Sequence, residues 1–349
     1  MGMSIDHATA DTQLAAYLLD ALDADETLAV EHHLTTCAIC QATLADLRPA
    51  VDALAATTAT TPPAGLAQRT MDAALAARPP ATHPFAPAEV HLIEATRVVA
   101  LLSRLSPDDW AAPVGPAFPD WTVQDLAAHL ASSEALLALE LGVDPFTPDT
   151  EPQAEARALQ AVARHRRLSP AETLAELRTT YELVQQTLRA IGDEVDARII
   201  SWFGLDLTLG YALTQRGFEI WTHADDIRAA LGLDAVPPPA GSVRTMSSAA
   251  LDTVPFMLSA VGVDAEGRRA RVTLSGPGGG TYDVALGLAE AGTPLPEGHA
   301  PDVVVRLDSI DFCKAVAERI SPPDLVFEAE GDLALADDLV RSLSALAVL

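Results

Sequence analysis

Apolar residues recur at intervals of three and four over residues 88–105, 123–141, 151–167, 171–191 and 207–231, the spacing that lays one apolar stripe along a helix. Four or more such helices in succession predict a bundle. Past residue 241 the period shortens. Residues 270–274 and 282–286 alternate on either side of Gly276-Pro277-Gly278-Gly279-Gly280, a hairpin signal, and residues 303–307 read as a further strand. A helix over 309–320, a strand over 325–329 and a helix over 333–346 follow, which completes an α+β layer. Towards the other end, the breaker-rich stretches 57–63 (TTATTPP) and 78–87 (RPPATHPFAP) flank residues 65–77, where Leu66, Met71 and Leu75 fall at near-helical spacing. That segment is expected to be a helical arm held on linkers.

This punctuation divides the chain into a small helical unit (1–78), a linker (79–87), a helical domain (88–234) and a mixed domain (241–349). The expected fold class is therefore mainly α with a C-terminal α+β domain. Hydrophobic residues at 49% and charged residues at 20% mark a globular chain. No run of about 18 apolar residues suggests a membrane span, so no membrane partner is expected. The net charge is -27, with 3 basic against 10 acidic residues in 1–80, 11 against 23 in 81–240 and 8 against 16 in 241–349. No third of the chain offers a basic phosphate-binding face, which argues against direct nucleic-acid binding. Residues 1–10 lack the charged-then-apolar pattern of a secretory signal, so a cytoplasmic location with reduced thiols is expected.

Of the three cysteines, Cys313 lies in an apolar run and reads as a small buried hydrophobe. Cys37 and Cys40 form a pair preceded by His33, with spacers of three and two residues. On a helix His33 and Cys37 lie one turn apart on one face, and the shorter spacer lets Cys40 close round the same ion, which gives three of four tetrahedral zinc ligands. The fourth comes from elsewhere. His7 is the candidate and His32 the nearer alternative, although adjacent helical histidines point about 100° apart. A structural zinc suits a unit this small, because a closed four-ligand site adds folding energy that a small core lacks.

Residues 1–78 resemble the zinc-binding anti-sigma factor domain, whose members carry an upstream histidine, this histidine-cysteine-cysteine spacing and a further helix that clasps the sigma factor. The resemblance implies His7, His33, Cys37 and Cys40 as zinc ligands, residues 65–77 as the clasping helix and an ECF-type sigma factor as the partner. Acidic helices would then cover the basic surfaces by which sigma grips polymerase or promoter. Redox sensing belongs to the same resemblance: in responsive members, oxidation of the thiolates removes zinc ligands.

A second constellation lies in the helical domain. Thr122 is an N-cap candidate and Asp125 can return the hydrogen bond, a well-marked helix start. His129 lies two turns in, among Leu126, Ala127 and Leu130, where a satisfied core histidine is the plain alternative. In residues 216–226 (RGFEIWTHADD), Arg216, Glu219 and His223 share one helix face; a surface salt-bridge stripe is the alternative there. Two ligands one turn apart with a histidine from another helix make a facial site of two imidazoles and one carboxylate, the set expected of a catalytic divalent metal. Asp225 or Asp226 can orient His223. Arg216 is the candidate catalytic residue, able to bind a carboxylate bidentately or to hold Glu219 in an ion pair.

Residues 121–130 (WTVQDLAAHL) and 216–226, in a helical domain followed by a mixed one, resemble the mycothiol-dependent maleylpyruvate isomerase family, a branch of the DinB-like metal-binding four-helix bundles. The resemblance covers about residues 88–349. It implies a DinB-like bundle over 88–234, a C-terminal domain of that family's type over 241–349, and His129, Glu219 and His223 as ligands of a second divalent metal, usually zinc. It also implies mycothiol as thiol cofactor. Taken together, the two resemblances predict a cytoplasmic zinc-binding anti-sigma factor that sequesters an ECF-type sigma factor. Its C-terminal metal domain would act as a sensor of, or an enzyme on, a small thiol or electrophile. The alternative is a mycothiol-dependent isomerase or S-transferase in which the metal activates the mycothiol thiolate.

Overall fold

A computed structural model describes residues 5–58, 85–115, 118–145, 147–151, 153–291 and 300–346. The helical arm expected over 65–77 and most of the linker over 79–87 lie outside the described residues. The chain divides into two compact units, Met1–Pro79 and Pro80–Leu349.

In the first unit, α1 (His7–Leu18), α2 (Ala24–Leu34) and α3 (Ala38–Thr58) are marked by their caps. Asp6 accepts from the Thr9 backbone N–H, and Asp23 and Glu26 form a reciprocal capping box at α2. The shared core is small: Ala10, Leu14, Val30 and Cys40 are fully buried, with residues such as Tyr17 and Leu44 partly covered. So little buried apolar surface is a weak hold on three helices.

In the second unit the long helices α4 (Pro87–Leu102), α6 (Val123–Glu140), α8 (Pro170–Ile191) and α9 (Leu209–Ala230) form the bundle, with short α5 (Pro107–Trp110) and α7 (Ala154–His165) beside them. Thr122 and Asp125 exchange capping hydrogen bonds at α6, and Ser169 and Glu172 do so at α8, where Pro170 takes the first helical position. Gly217 lets α9 approach α4, since a Cβ there would stand 2.8 Å from Val90 Cγ1.

The helix expected from 207 starts two residues later, because the preceding chain folds as a hairpin of β1 (Ile199–Trp202) and β2 (Leu205–Thr208) with Trp202 opposite Leu205. Its two-residue turn, Phe203-Gly204, has φ of 49° and 78°, as a primed turn requires at both positions. Phenylalanine is an uncommon occupant of that conformation, so the sequence carried no turn signal. Two further helices, α10 (Ala240–Asp252) and α11 (Val254–Ala260), also had no counterpart in the apolar pattern. The small and polar residues of α10 mask a buried face that includes Val243, Met246, Ser247 and Ala250.

The C-terminal layer is a four-stranded sheet ordered β4-β3-β5-β6, with β3 (Arg269–Ser275), β4 (Gly280–Ala285), β5 (Val303–Asp308) and β6 (Phe327–Gly331). The β3–β4 hairpin brings Leu274 opposite Gly280; β3 and β5 are parallel, and β5 and β6 antiparallel. Alternate residues Ala270, Val272 and Leu274 of β3 and Val303, Val305 and Leu307 of β5 share a core with α10, α12 (Ser309–Val316) and α13 (Leu333–Ser342). Val90 and Trp221 of the bundle belong to the same core, so sheet layer and bundle are one packed body. Among the described residues, no helix is long and apolar enough to cross a membrane.

Helix α7 is tied to α8 by Arg164, which lies 2.7 Å from Asp149 and 2.6 Å from Glu176, with His165 3.1 Å from Glu176. Burial opposes the Glu176 charge, yet Arg164 and His165 hold its carboxyl at about 2. A carboxylate with a depressed folded pKa contributes stability that is present above its unfolded value, about 4.3, and lost as pH falls towards 2. Glu176→Gln is expected to lower the unfolding free energy by about 2–3 kcal/mol at pH 7 and roughly half as much at pH 3. Urea denaturation at both pH values checks this, and an equal loss at both would contradict it.

Candidate metal centres

In the N-terminal unit the chain between α2 and α3 folds the end of one helix and the start of the next against the first turn of α1. One ligand atom from each of His7, His33, Cys37 and Cys40 lies within 4.8 Å of the others. His7 Nδ1 is 3.1 Å from Cys40 Sγ and 3.6 Å from Cys37 Sγ. Tetrahedral zinc, with bonds of about 2.0–2.3 Å, needs donor atoms roughly 3.3–3.8 Å apart, so the donor set fits that ion. His33 Nδ1 donates to the Ile5 carbonyl at 3.2 Å, which fixes the tautomer with the lone pair on Nε2. That Nε2 is buried without a hydrogen-bond partner, as a metal-binding nitrogen would be. His32, the alternative fourth ligand, is exposed and stands outside this group. The Cys40 backbone N–H holds the Cys37 thiol below its ordinary pKa, while burial pushes that of Cys40 up.

The second group joins two bundle helices. His129 of α6 and Glu219 and His223 of α9 offer ligand atoms within 4.8 Å of one another. His129 Nε2 is 2.9 Å from Glu219 Oε1, and the two imidazole rings stand 5.1 Å apart, edge to face. Trp121 lies 5.6 Å from the His129 ring and Phe118 5.5 Å from the His223 ring, centroid to centroid. Of the two aspartates, Asp226 meets His223 Nδ1 at 3.0 Å and is itself gripped by Arg319 through Nε at 2.8 Å and Nη2 at 2.6 Å. Engaging Nδ1 in this way leaves Nε2 as the lone-pair nitrogen. Asp225 instead accepts from the Val236 backbone N–H at 3.3 Å.

Behind Glu219 the bundle carries a buried polar line. Gln185 Nε2 of α8 donates to His91 Nδ1 of α4 at 2.8 Å, so His91 Nε2 holds the proton it presents to Glu134 of α6, 3.0 Å away. Arg216 of α9 has no exposed surface and lies 3.5 Å from Glu134, 3.3 Å from the Leu130 carbonyl and in direct contact with Glu219 Oε2. All four bundle helices thus contribute to one network that ends on Glu219. Burial opposes the Glu219 charge, but Arg216 and the two imidazoles hold the carboxyl well below its ordinary range. Burial also pushes the His223 pKa down, towards the neutral ring. An ionised carboxylate and a neutral imidazole are the states a divalent metal requires. A substrate carboxylate could reach Arg216 only by displacing Glu219.

Sequence reasoning passed over His91, Glu134, Gln185, Phe118 and Arg319. A faint signal existed for the first two, each a charged or polar residue set on an apolar helix stripe, but nothing local marked Arg319. The cluster opens on a cavity of about 860 Å³, room for a small organic ligand, walled by bundle helices, α7, α10 and the chain after α12.

Residues 91–228 match the family model of the mycothiol maleylpyruvate isomerase N-terminal domain, and residues 9–41 match a zinc-finger family of the anti-sigma factor type. The two matches fall in different parts of the chain. The zinc-finger match contains His33, Cys37 and Cys40, and the isomerase-type match contains His129, Arg216, Glu219 and His223. Similar solved structures are two of the mycothiol-dependent maleylpyruvate isomerase, one a histidine-to-alanine mutant. They share 16% and 17% identity with this chain, cover 69% and 67% of it and 91% and 88% of their own lengths, with TM-scores of 0.47 and 0.46. No curated protein matches the chain.

Removing the Arg216 charge would leave Glu134 and Glu219 facing each other without a counter-charge. Arg216→Met is expected to cost about 3–5 kcal/mol of stability, part of which Glu134→Gln in the same chain restores. Chemical denaturation of the single and double variants measures both, and an unaltered midpoint in Arg216→Met would contradict the assignment.

Proposed function

We propose that the chain is a cytoplasmic anti-sigma factor whose N-terminal unit holds a structural zinc and sequesters an ECF-type sigma factor, while its isomerase-like domain is a metal-dependent sensor of a small thiol or electrophile. The observation that carries this reading is the four-donor set of His7, His33, Cys37 and Cys40, drawn from α1, α2, the loop before α3 and α3 itself. Zinc there would supply four bonds joining three helices whose shared core, among the described residues, has four fully buried side chains. The sigma-facing surface then depends on those donors. Exposed Asp25, Glu31 and Asp46, with exposed Leu28 and Ile39, give it the acidic and apolar character that suits a basic partner.

A second reading, a mycothiol-dependent isomerase or S-transferase, is favoured by one feature: His129, Glu219 and His223 stand in the wall of the large cavity. A divalent metal bound by these three would lower a thiol pKa towards neutrality. The chain's own residues prepare for it. Arg216 keeps Glu219 ionised, Asp226 and Arg319 hold His223 in one tautomer, and Phe118 and Trp121 pack beside the His223 and His129 rings.

Cys37→Ser or Cys40→Ser is expected to abolish capture of the ECF-type sigma factor in co-purification, while His129→Ala leaves capture measurable. Full capture by both cysteine variants would refute the anti-sigma reading. The enzyme reading requires thiol conjugation or isomerisation by the metal-loaded protein with mycothiol over a panel of electrophiles, and fails if neither occurs.

A further inference from the structure

The cavity beside His129, Glu219 and His223 has a lining of unusual charge. Phe118, Trp121, Phe203, Tyr211 and Phe218 supply aromatic surface. Among the described lining residues Arg319 is the one arginine or lysine, against the carboxylates of Glu155, Glu219 and Glu318. The Arg319 charge is already matched by Asp226. Its Nε and Nη2 donate to that carboxylate, and its Nη1 donates to the Ala317 carbonyl at 2.6 Å, so three of its five N–H groups are engaged. Arg216 lies behind Glu219 and does not line the cavity. A dicarboxylate entering here would need two counter-charges. A divalent metal held by the three ligands could meet one carboxylate, and no unpaired cation of the described lining meets the other.

The backbone adds an independent observation. Three non-glycine residues among those described have φ in the left-handed region: Asp20, Phe203 and Glu318. Two of the three, Phe203 and Glu318, line this cavity. A phenylalanine at φ 49° is held in a conformation that asparagine or glycine would adopt at less cost. The residue is 41% exposed, and among the aromatic contacts of the described residues its ring meets only the edge-to-face partner Trp202, at 4.8 Å. Strain kept at a cavity wall, for a ring that contributes little to the core, fits a binding role.

We infer that this cavity receives a ligand with an uncharged, aromatic or otherwise apolar body rather than a dicarboxylate. The inference rests on the reading of this domain as a binder of small thiols or electrophiles, and it narrows that class by charge. Phe203 and the acidic rim are the specificity-determining features: the ring covers the apolar body, and Glu155 and Glu318 repel anions.

Calorimetric titration of the zinc-loaded full-length protein with neutral benzyl mercaptan and with dianionic mercaptosuccinate tests the inference. Benzyl mercaptan is expected to bind about tenfold more tightly or better. In Phe203→Asn its affinity is expected to fall about tenfold while the thermal midpoint rises, since Asn-Gly suits the turn. Glu155→Arg, at an exposed position, is expected to narrow the preference several-fold. Equal or tighter binding of mercaptosuccinate overturns the inference, and so does an unchanged affinity in Phe203→Asn or undetectable binding of both thiols at millimolar concentration. Repeating the titration after chelation separates the two readings. A preference for the neutral thiol that persists at the same affinity without metal keeps the charge selectivity and removes the metal-activated thiol; a preference lost in Phe203→Asn but not on chelation points the same way.

Discussion

The Arg216 guanidinium lies wholly inside a four-helix bundle, and a charge in that position is tolerable only with counter-charges at hand. Glu134 and Glu219 provide them, each from a different helix. From this one constraint much of the second unit follows. Glu134 must itself be satisfied, which places His91 and Gln185 on two further helices and fixes the register of all four. Glu219, held ionised by Arg216, presents its other oxygen to His129 and Ser133 at the cavity wall. The donor set there is thus an outgrowth of the bundle's interior electrostatics and is positioned by it. His223 is fixed from the opposite side, where Asp226 and Arg319 link it to the C-terminal layer.

The N-terminal unit works under the opposite limitation. Among the described residues its three helices share a core of four fully buried side chains, one of them Cys40, a far smaller packed surface than the bundle has. Four donors gathered from the three helices and the loop before α3 would fix their arrangement once a metal joins them. Metal loading and helix geometry would then be one equilibrium, which is why thiolate chemistry at Cys37 and Cys40 bears on any partner surface those helices form.

What could be read from the sequence was what short spacing controls. His33, Cys37 and Cys40 lie within eight residues, Glu219 and His223 lie one helical turn apart, and the Thr122 cap announces α6, so each of these features was visible before any fold. The hairpin at Gly276–Gly280 was visible for the same reason. His7 was only an expectation of spacing, because its approach to Cys40 spans 33 residues and depends on α1 packing against α3. The His91–Glu134 and Gln185–His91 pairs span 43 and 94 residues, so a polar residue on an apolar stripe hinted at His91 and Glu134 singly but nothing local marked the pairing. The Phe203-Gly204 turn was missed because phenylalanine is not a turn residue, and α10 because serines and alanines blur its buried face. Both omissions line the cavity, through Phe203 and through Met246 and Ala250, so local rules failed where the structure departs from the commonest local choice.

On the proposed reading, two separate donor sets, one in each unit, hold one metal each. Zinc content per chain, measured by mass spectrometry on the full-length protein and on His33→Ala and His129→Ala, tests it most directly. Two zinc ions are expected in the parent and one in each variant. One zinc in the parent that survives His129→Ala, or loss of both ions in either variant, would contradict that reading.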